Sequence, residues 1–210
     1  GFLVIPDAGV VDIGKMTLTE AKQHISKFVR TKSKNVDSVH ISLASIKAVH
    51  VTITGDVHGP GTFHMYGSFR VADVIKYSNM DMMLPLDKYD YRDVVLQDNN
   101  DSICHYDLYE FFYKDIDEQN PYINGGDHIR INRALRRVYI TGEIQTTKSR
   151  FVPIKKGETL AHLLSLFPMK EAADSNHIVV QRSAGGGGQE TIVTSLQDAE
   201  SIVVHDKDVI

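Results

Sequence analysis

Apolar positions recur along this chain with two periods, and the points where one gives way to the other mark its elements. In VTITGDVHGPGTF, Val51–Phe63, apolar and polar residues alternate up to Thr54-Gly55, which is the period of a half-buried strand. VYITGEIQTTKSRF, Val138–Phe151, repeats the pattern with Thr141-Gly142, an acid at Glu143 and an apolar residue at Ile144. Behind each copy the period lengthens to that of a helix. Leu160, Leu163, Leu164 and Phe167 share one helical face with Thr159 as its cap. In the first copy Phe69, Val71, Ala72, Val74 and Ile75 do the same, with Ser68 as the cap.

Each predicted helix is followed by a short β-branched run, DVVLQ at Asp93–Gln97 and HIVVQR at His177–Arg182. DNND and SAGGGGQE then read as hairpin tips, where length varies without cost to a core. The copies also close alike, since PYINGGDHIRI and SIVVHDKDVI place Asp127 opposite Asp208 and Ile129 opposite Ile210. The spacing therefore predicts two copies of β-β-α-β-β, over residues 50–132 and 137–210, each a small mixed sheet with one helix, in an α+β chain. Gly55 and Gly142 interrupt strand-like runs, Gly59-Pro60-Gly61 supplies a turn, and Gly126-Asp127 a second. These residues shape the module and need not touch a ligand.

Residues 1–49 belong to neither copy. GFLVIPDAGVVDIG reads as strand and turn. MTLTEAKQHISKFVR reads as a helix, with Thr17 and Glu20 as a capping box and Leu18, Ala21, Ile25, Phe28 and Val29 along one face. SVHISLAS, Ser38–Ser45, alternates as a strand. The abrupt opening gives the expectation of a fragment from a longer precursor, with a third unit beginning upstream of Gly1.

Composition narrows the classes. At 42% hydrophobic and 24% charged the chain has the make-up of a globular protein with a core. A net charge of -4 gives no overall basic field, so nucleic acid is not an expected partner. The single cysteine, Cys104, excludes an intrachain disulfide and a multi-cysteine zinc site. No apolar run approaches the roughly 20 residues of a membrane-spanning helix, and no signal peptide opens the chain.

Candidate chemistry is sparse. Gly185 to Gly188 lack the Lys-Ser/Thr of a phosphate loop and read as a hairpin tip. His50, His58 and His64 follow no metal-ligand spacing, and neither a metal nor a cofactor is expected. Asp115, Asp117 and Glu118 read as a solvated loop, because a glycosidase needs two carboxylates flanking one bond. No nucleophile elbow or Cys/His signature occurs, so no catalytic residue is expected and the chain is read as non-enzymatic. Arg130, Arg133, Arg136 and Arg137 bracket the junction between copies. They could hold an acidic polysaccharide or a phosphate group through the planar guanidinium fork, or form a charged linker paired with nearby acids; Arg70 and Arg92 carry the same two readings. In HYDLYEFFY, Leu108, Phe111 and Phe112 are expected in the core, and Tyr109 or Tyr113 at the surface, where a sugar ring could stack.

VTITGDVHGPGTF with its capped helix, and DLYEFFYKDIDEQNPYINGGDHIRI at Asp107–Ile131, resemble the SLBB domain, the soluble ligand-binding β-grasp module. FLVIPDAGVVDIGKMTLTEAKQHI resembles the end of the polysaccharide-export domain that precedes such modules in bacterial outer-membrane polysaccharide export proteins. The resemblance covers almost the whole chain and is most specific at Gly55, Gly59-Pro60-Gly61, Asp107-Leu108 and Gly126-Asp127. It implies tandem β-grasp domains behind a partial export domain over 1–49. It also implies a periplasmic, outer-membrane-associated protein, usually a lipoprotein, that forms a homo-oligomeric ring and gives capsule or exopolysaccharide a path outward. Polysaccharide is the implied partner, with inner-membrane polysaccharide assembly machinery as a further candidate. The second copy departs from the pattern, with Gln145-Thr146-Thr147-Lys148 where a Pro-Gly turn is common, and both helices lack the usual Gly pair at their ends. A monomeric periplasmic glycan- or ligand-binding accessory protein of capsule assembly is the alternative.

Overall fold

The computed structural model describes residues 1–33, 36, 38–79, 89–145, 151–184 and 187–210. They divide into two compact units, Gly1–Ile46 and Lys47–Ile210. In the first, β1 (Phe2–Ile5) and β2 (Gly9–Asp12) pair as an antiparallel hairpin. Helix α1 (Leu18–Lys32) starts where the capping box places it: the Glu20 N–H donates to Thr17 Oγ1, and the Thr17 N–H donates to the Glu20 carboxylate at 2.8 Å. Its buried stripe is narrower than the pattern predicts, Ala21 and Ile25 being buried and Leu18 exposed. The strand expected over Ser38–Ser45 is not formed. Its alternation is real, but no second strand among the described residues takes up its ladder, and alternation alone satisfies no backbone group.

The second unit contains both copies. In the first, β3 (Ala48–Gly55) and β4 (Gly61–Tyr66) form a hairpin, α2 (Val71–Ser78) follows, and β5 (Val94–Gln97) pairs with β6 (Ile103–Tyr106). After α3 (Leu108–Lys114) and a single 3-10 turn at Asp117–Gln119, β7 (His128–Ile131) enters between the hairpins, parallel to β3 and antiparallel to β5. The sheet order β4-β3-β7-β5-β6, with first and last strands side by side and parallel, is the β-grasp order. One face is apolar: Val51, Ile53, Val94, Ile129 and Ile131 join Val71, Val74 and Ile75 of α2 in the core, and each fully buried Val or Ile contributes about 1.5–3 kcal/mol.

The second copy repeats this in shorter form. β8 (Arg137–Tyr139) pairs with β9 (Phe151–Pro153), α4 (Leu160–Ser165) follows, and β10 (Ile178–Ser183) pairs with β11 (Gln189–Thr194). The fifth position is held by Val209, bridged in parallel to Tyr139 and antiparallel to Gln181, so the two hairpins join in the same order. Thr159 caps α4 as expected, accepting the His162 N–H at 3.2 Å, and Leu160, Leu163 and Leu164 are buried. Their core is continuous with that of the first copy.

Three further expectations are corrected. The first copy, expected to carry one helix, has two, because Asp107 caps α3 in the segment between β6 and β7. The cap of α2 is not Ser68 but the backbone of Arg70: Asp73 accepts the Arg70 N–H at 2.9 Å, and Asn120 accepts the Ala72 N–H at 2.9 Å from a distant part of the chain. In α3, Tyr109 is buried and Phe112 is half-exposed, the reverse of the pattern reading. The reason is the second copy: the rings of Tyr109 and Tyr113 pack edge-on against Phe167, with centroids 6.3 and 4.9 Å away. Residues 80–88 and 146–150, with Thr146-Thr147-Lys148 of the divergent turn, and Gly185 and Gly186 lie outside the described residues.

Candidate functional site

The copies are joined by buried charge. Arg92 stands in the turn before β5 with 1% of its surface exposed. Its Nε donates to Asp107 Oδ2 at 3.3 Å, Nη1 to the Pro153 carbonyl at 2.9 Å and to Glu158 Oε2 at 2.8 Å, and Nη2 to Glu158 Oε1 at 2.5 Å. Asp107 is also the cap of α3, accepting the Tyr109 N–H, and Lys155 Nζ lies 2.8 Å from its Oδ2. Glu158 further accepts the Lys155 N–H at 3.0 Å and lies 2.7 Å from His162 Nδ1. Burial pushes the Glu158 carboxyl up, but the Arg92 hydrogen bonds and charge, with the Lys155 N–H and His162, bring it below the usual range. Burial works against the Arg92 charge as well, and the two carboxylates outweigh it. A first-copy arginine held bidentately by a second-copy glutamate fixes how the modules meet, because removing either partner strands a buried charge.

Beside this network lies a cavity of about 450 Å³ between the copies, with buried Arg92 and Asp107 among its lining. Asp90, Asp93 and His105 line it from the first copy, and Arg136, Lys155 and Lys156 from the junction and the second. His105 Nδ1 is 2.5 Å from Asp93 Oδ1. The Asp90 carboxyl is pushed up by burial, and by Asp93 and Asp107 against the pull of Arg92. The Ile154 N–H donates to the Arg136 carbonyl at 3.1 Å, which pins the segment carrying Arg136 beside the one carrying Lys155 and Lys156. The site presents exposed cations and partly buried acceptors, and can hold a molecule bearing both an anionic group and hydroxyls. A wider depression of about 560 Å³ in the first unit is lined, among the described residues, by α1 through residues such as Lys22, Gln23 and Arg30.

Of the four arginines singled out from sequence, Arg136 alone lines the cavity. Arg130 is exposed on β7 between buried Ile129 and Ile131, Arg133 reaches to 3.9 Å from Asp56, and the Arg137 guanidinium lies 6.0 Å from the Phe151 ring. The Gly and Pro positions serve the fold. Gly55 has φ +94° and approaches the Ile131 carbonyl so closely that a Cβ would overlap it, and Gly142 repeats the conformation in the second copy. Gly126, also at positive φ, packs against the Asn99 side chain. Gly59 abuts the Ser78 carbonyl, Pro60 is exposed, Gly61 opens β4, and Asp127 is buried, accepting the Asn124 N–H at 2.7 Å. Arg70 spans the loop around Asp117 and Asn120, and its guanidinium lies 4.5 Å from the Tyr122 ring. His50 and His64 face each other across β3 and β4 with ring centroids 4.1 Å apart, a pairing their sequence spacing does not show. Among the described residues no group of three or more His, Cys, Asp or Glu could hold a metal ion, and no helix is long and apolar enough to cross a membrane.

Sequence reasoning missed Asp107, Lys155, Lys156 and Glu158 as site residues. The available signal was Arg92 itself, a charge set against the apolar run that becomes β5. No protein-family model matches this chain, and no curated protein matches it.

Proposed function

We propose that this chain is the periplasmic portion of a polysaccharide-export protein and acts as a structural protomer of a translocation ring at the outer membrane. The observation that carries the reading is the junction: two β-grasp copies share one core and are tied by the buried Arg92–Glu158 pair. A ring protomer must present two different faces at a fixed angle so that head-to-tail contacts close, and a rigid two-module body meets that need. The resemblance of VTITGDVHGPGTF and of the Asp107–Ile131 stretch to the export family's β-grasp modules points the same way. Polysaccharide is then the cargo, and inner-membrane assembly machinery a further partner. The test is the mass of the protein extracted from its own cells in mild detergent, by light scattering coupled to size exclusion. A closed homo-oligomer is expected, and a monomer would sink the ring.

A second reading, a monomeric periplasmic glycan-binding accessory protein, is favoured by the cavity at the junction with Arg136 and Lys156 on its rim. It gains if the extracted protein is a monomer that binds glycan.

A further inference from the structure

We infer that the junction cavity is a binding site for a carboxylated saccharide of the uronic acid type, with the carboxylate held by Arg136 and Lys156 and ring hydroxyls by Asp90 and Gln119. The saccharide half of this assignment rests on the polysaccharide reading above; the anion half rests on the charges alone.

The cavity's charges divide into those already matched and those that are not. Arg92 is matched by Asp107 and Glu158 and Lys155 by Asp107, while the Asp93 carboxylate lies within hydrogen-bond distance of the His105 ring. Arg136 and Lys156 are exposed and have no ion pair among the described residues. They come from opposite sides of the β8–β9 hairpin, and the Ile154-to-Arg136 backbone hydrogen bond keeps those sides adjacent. Arg136 and Lys156 offer an anion two charged donors on one rim, and the planar guanidinium fork favours a carboxylate or a phosphate; Asp90, which lines the same cavity and has no ion pair among the described residues, is left to hydroxyls.

The remaining lining is suited to hydroxyls. Among the described residues the Asp90 carboxyl accepts one long bond, from the Arg92 N–H at 3.3 Å, and keeps acceptor capacity. Burial raises its pKa, so Asp90 is also closer than an ordinary aspartate to donating. Gln119 has its oxygen committed to the Asp107 N–H at 2.8 Å, which leaves its amide N–H groups to donate. Tyr106 and Ile154 add apolar surface for the face of a ring. At about 450 Å³ the cavity falls within the roughly 300–1,000 Å³ of small-ligand sites. Inorganic phosphate would use the cations and leave Asp90 and Gln119 idle, while a neutral sugar would do the reverse.

The probe is a short oligomer of glucuronic acid, titrated into the 210-residue chain by calorimetry at low salt, beside a glucose oligomer of equal length and inorganic phosphate. Saturable binding of the uronate is expected, weakened roughly tenfold by Arg136→Ala or by Lys156→Ala, as loss of a hydrogen bond to a charged group implies. Arg130→Ala, on the outer face of the sheet, is expected to leave binding unchanged, and Arg136→Lys to recover part of it. These side chains are exposed, so a thermal melt of each variant checks that folding is intact. Absence of uronate binding, equal binding of the glucose oligomer, or equal binding of phosphate alone would each overturn the assignment. The ring mass of the Arg136→Ala, Lys156→Ala double variant separates the two proposals: a ring that has lost uronate binding keeps scaffold and site distinct.

Discussion

Asp127 and Asp208 occupy the same turn in the two copies, each buried and each accepting the N–H of the residue three before it, yet they face opposite charges. Asp208 is clasped by Arg182, whose Nε and Nη2 donate to it at 3.0 and 2.8 Å. Strand register places Asp98 at the matching position beside Asp127, because Gln97 and Gln181 are the corresponding partners of β7 and of Val209. Asp127 Oδ1 has no hydrogen-bond partner among the described residues, and burial, with the charge of Asp98, raises its pKa. The folded state therefore holds the Asp127 proton more tightly than the unfolded chain, so stability falls as pH rises through that window. Asp127→Asn is expected to unfold at a higher temperature than the parent at pH 7, with the gap closing toward pH 4, as thermal melts across pH would show.

Arg182→Met leaves Asp208 buried and unpaired. A loss of about 3 kcal/mol is expected, measured by urea unfolding, because stranding a buried charge costs more than the pair itself contributes.

Arg92→Met tests the junction. It leaves the buried Glu158 carboxylate without its guanidinium partner, so a loss of about 3–5 kcal/mol is expected, together with separation of one unfolding transition into two as the copies uncouple. Coincident single transitions by fluorescence and circular dichroism would count against the junction as the tie between modules.

Glu158 has the opposite sign from Asp127. Its folded pKa lies below the ordinary 4.5, so its contribution is complete above that value and is lost as pH falls through the folded pKa. The parent is expected to lose stability steeply below about pH 4.5, and Glu158→Gln to be less stable at pH 7 but flatter in acid.

Asn120→Ala removes the acceptor for the Ala72 N–H at the start of α2. A cost of about 1 kcal/mol is expected, similar to Thr159→Ala at α4.

Those two caps show what the sequence can and cannot carry. Thr159 sits next to the helix it caps and is legible, as are Thr17 and Glu20 at α1. Asn120 caps α2 from 48 residues away, so local rules choose Ser68 instead. The alternation of Val51 and Ile53 and the face of Leu160, Leu163 and Leu164 specify their elements because burial has the same period as the strand or helix. Tyr109 and Phe112 exchange roles because Phe167, in the other copy, decides which side of α3 is covered. Arg136 is legible as one of a basic run, but its neighbours in the cavity come from segments that only tertiary packing brings together.

The parallel pairing of β3 with β7 also has a mechanical meaning. The chain enters the first copy at the start of β3 and leaves it at the end of β7, so tension between those points loads the rungs from Thr52–His128 to Gly55–Ile131 together, in shear. Peeling one rung at a time is not open to a force along that direction. The second copy has the same geometry in miniature, with Tyr139 and Thr141 donating to the carbonyls of Asp208 and Ile210 and Ile210 donating back to Tyr139. Stretched end to end, the second module would yield at lower force and leave the first intact as the stiffer link.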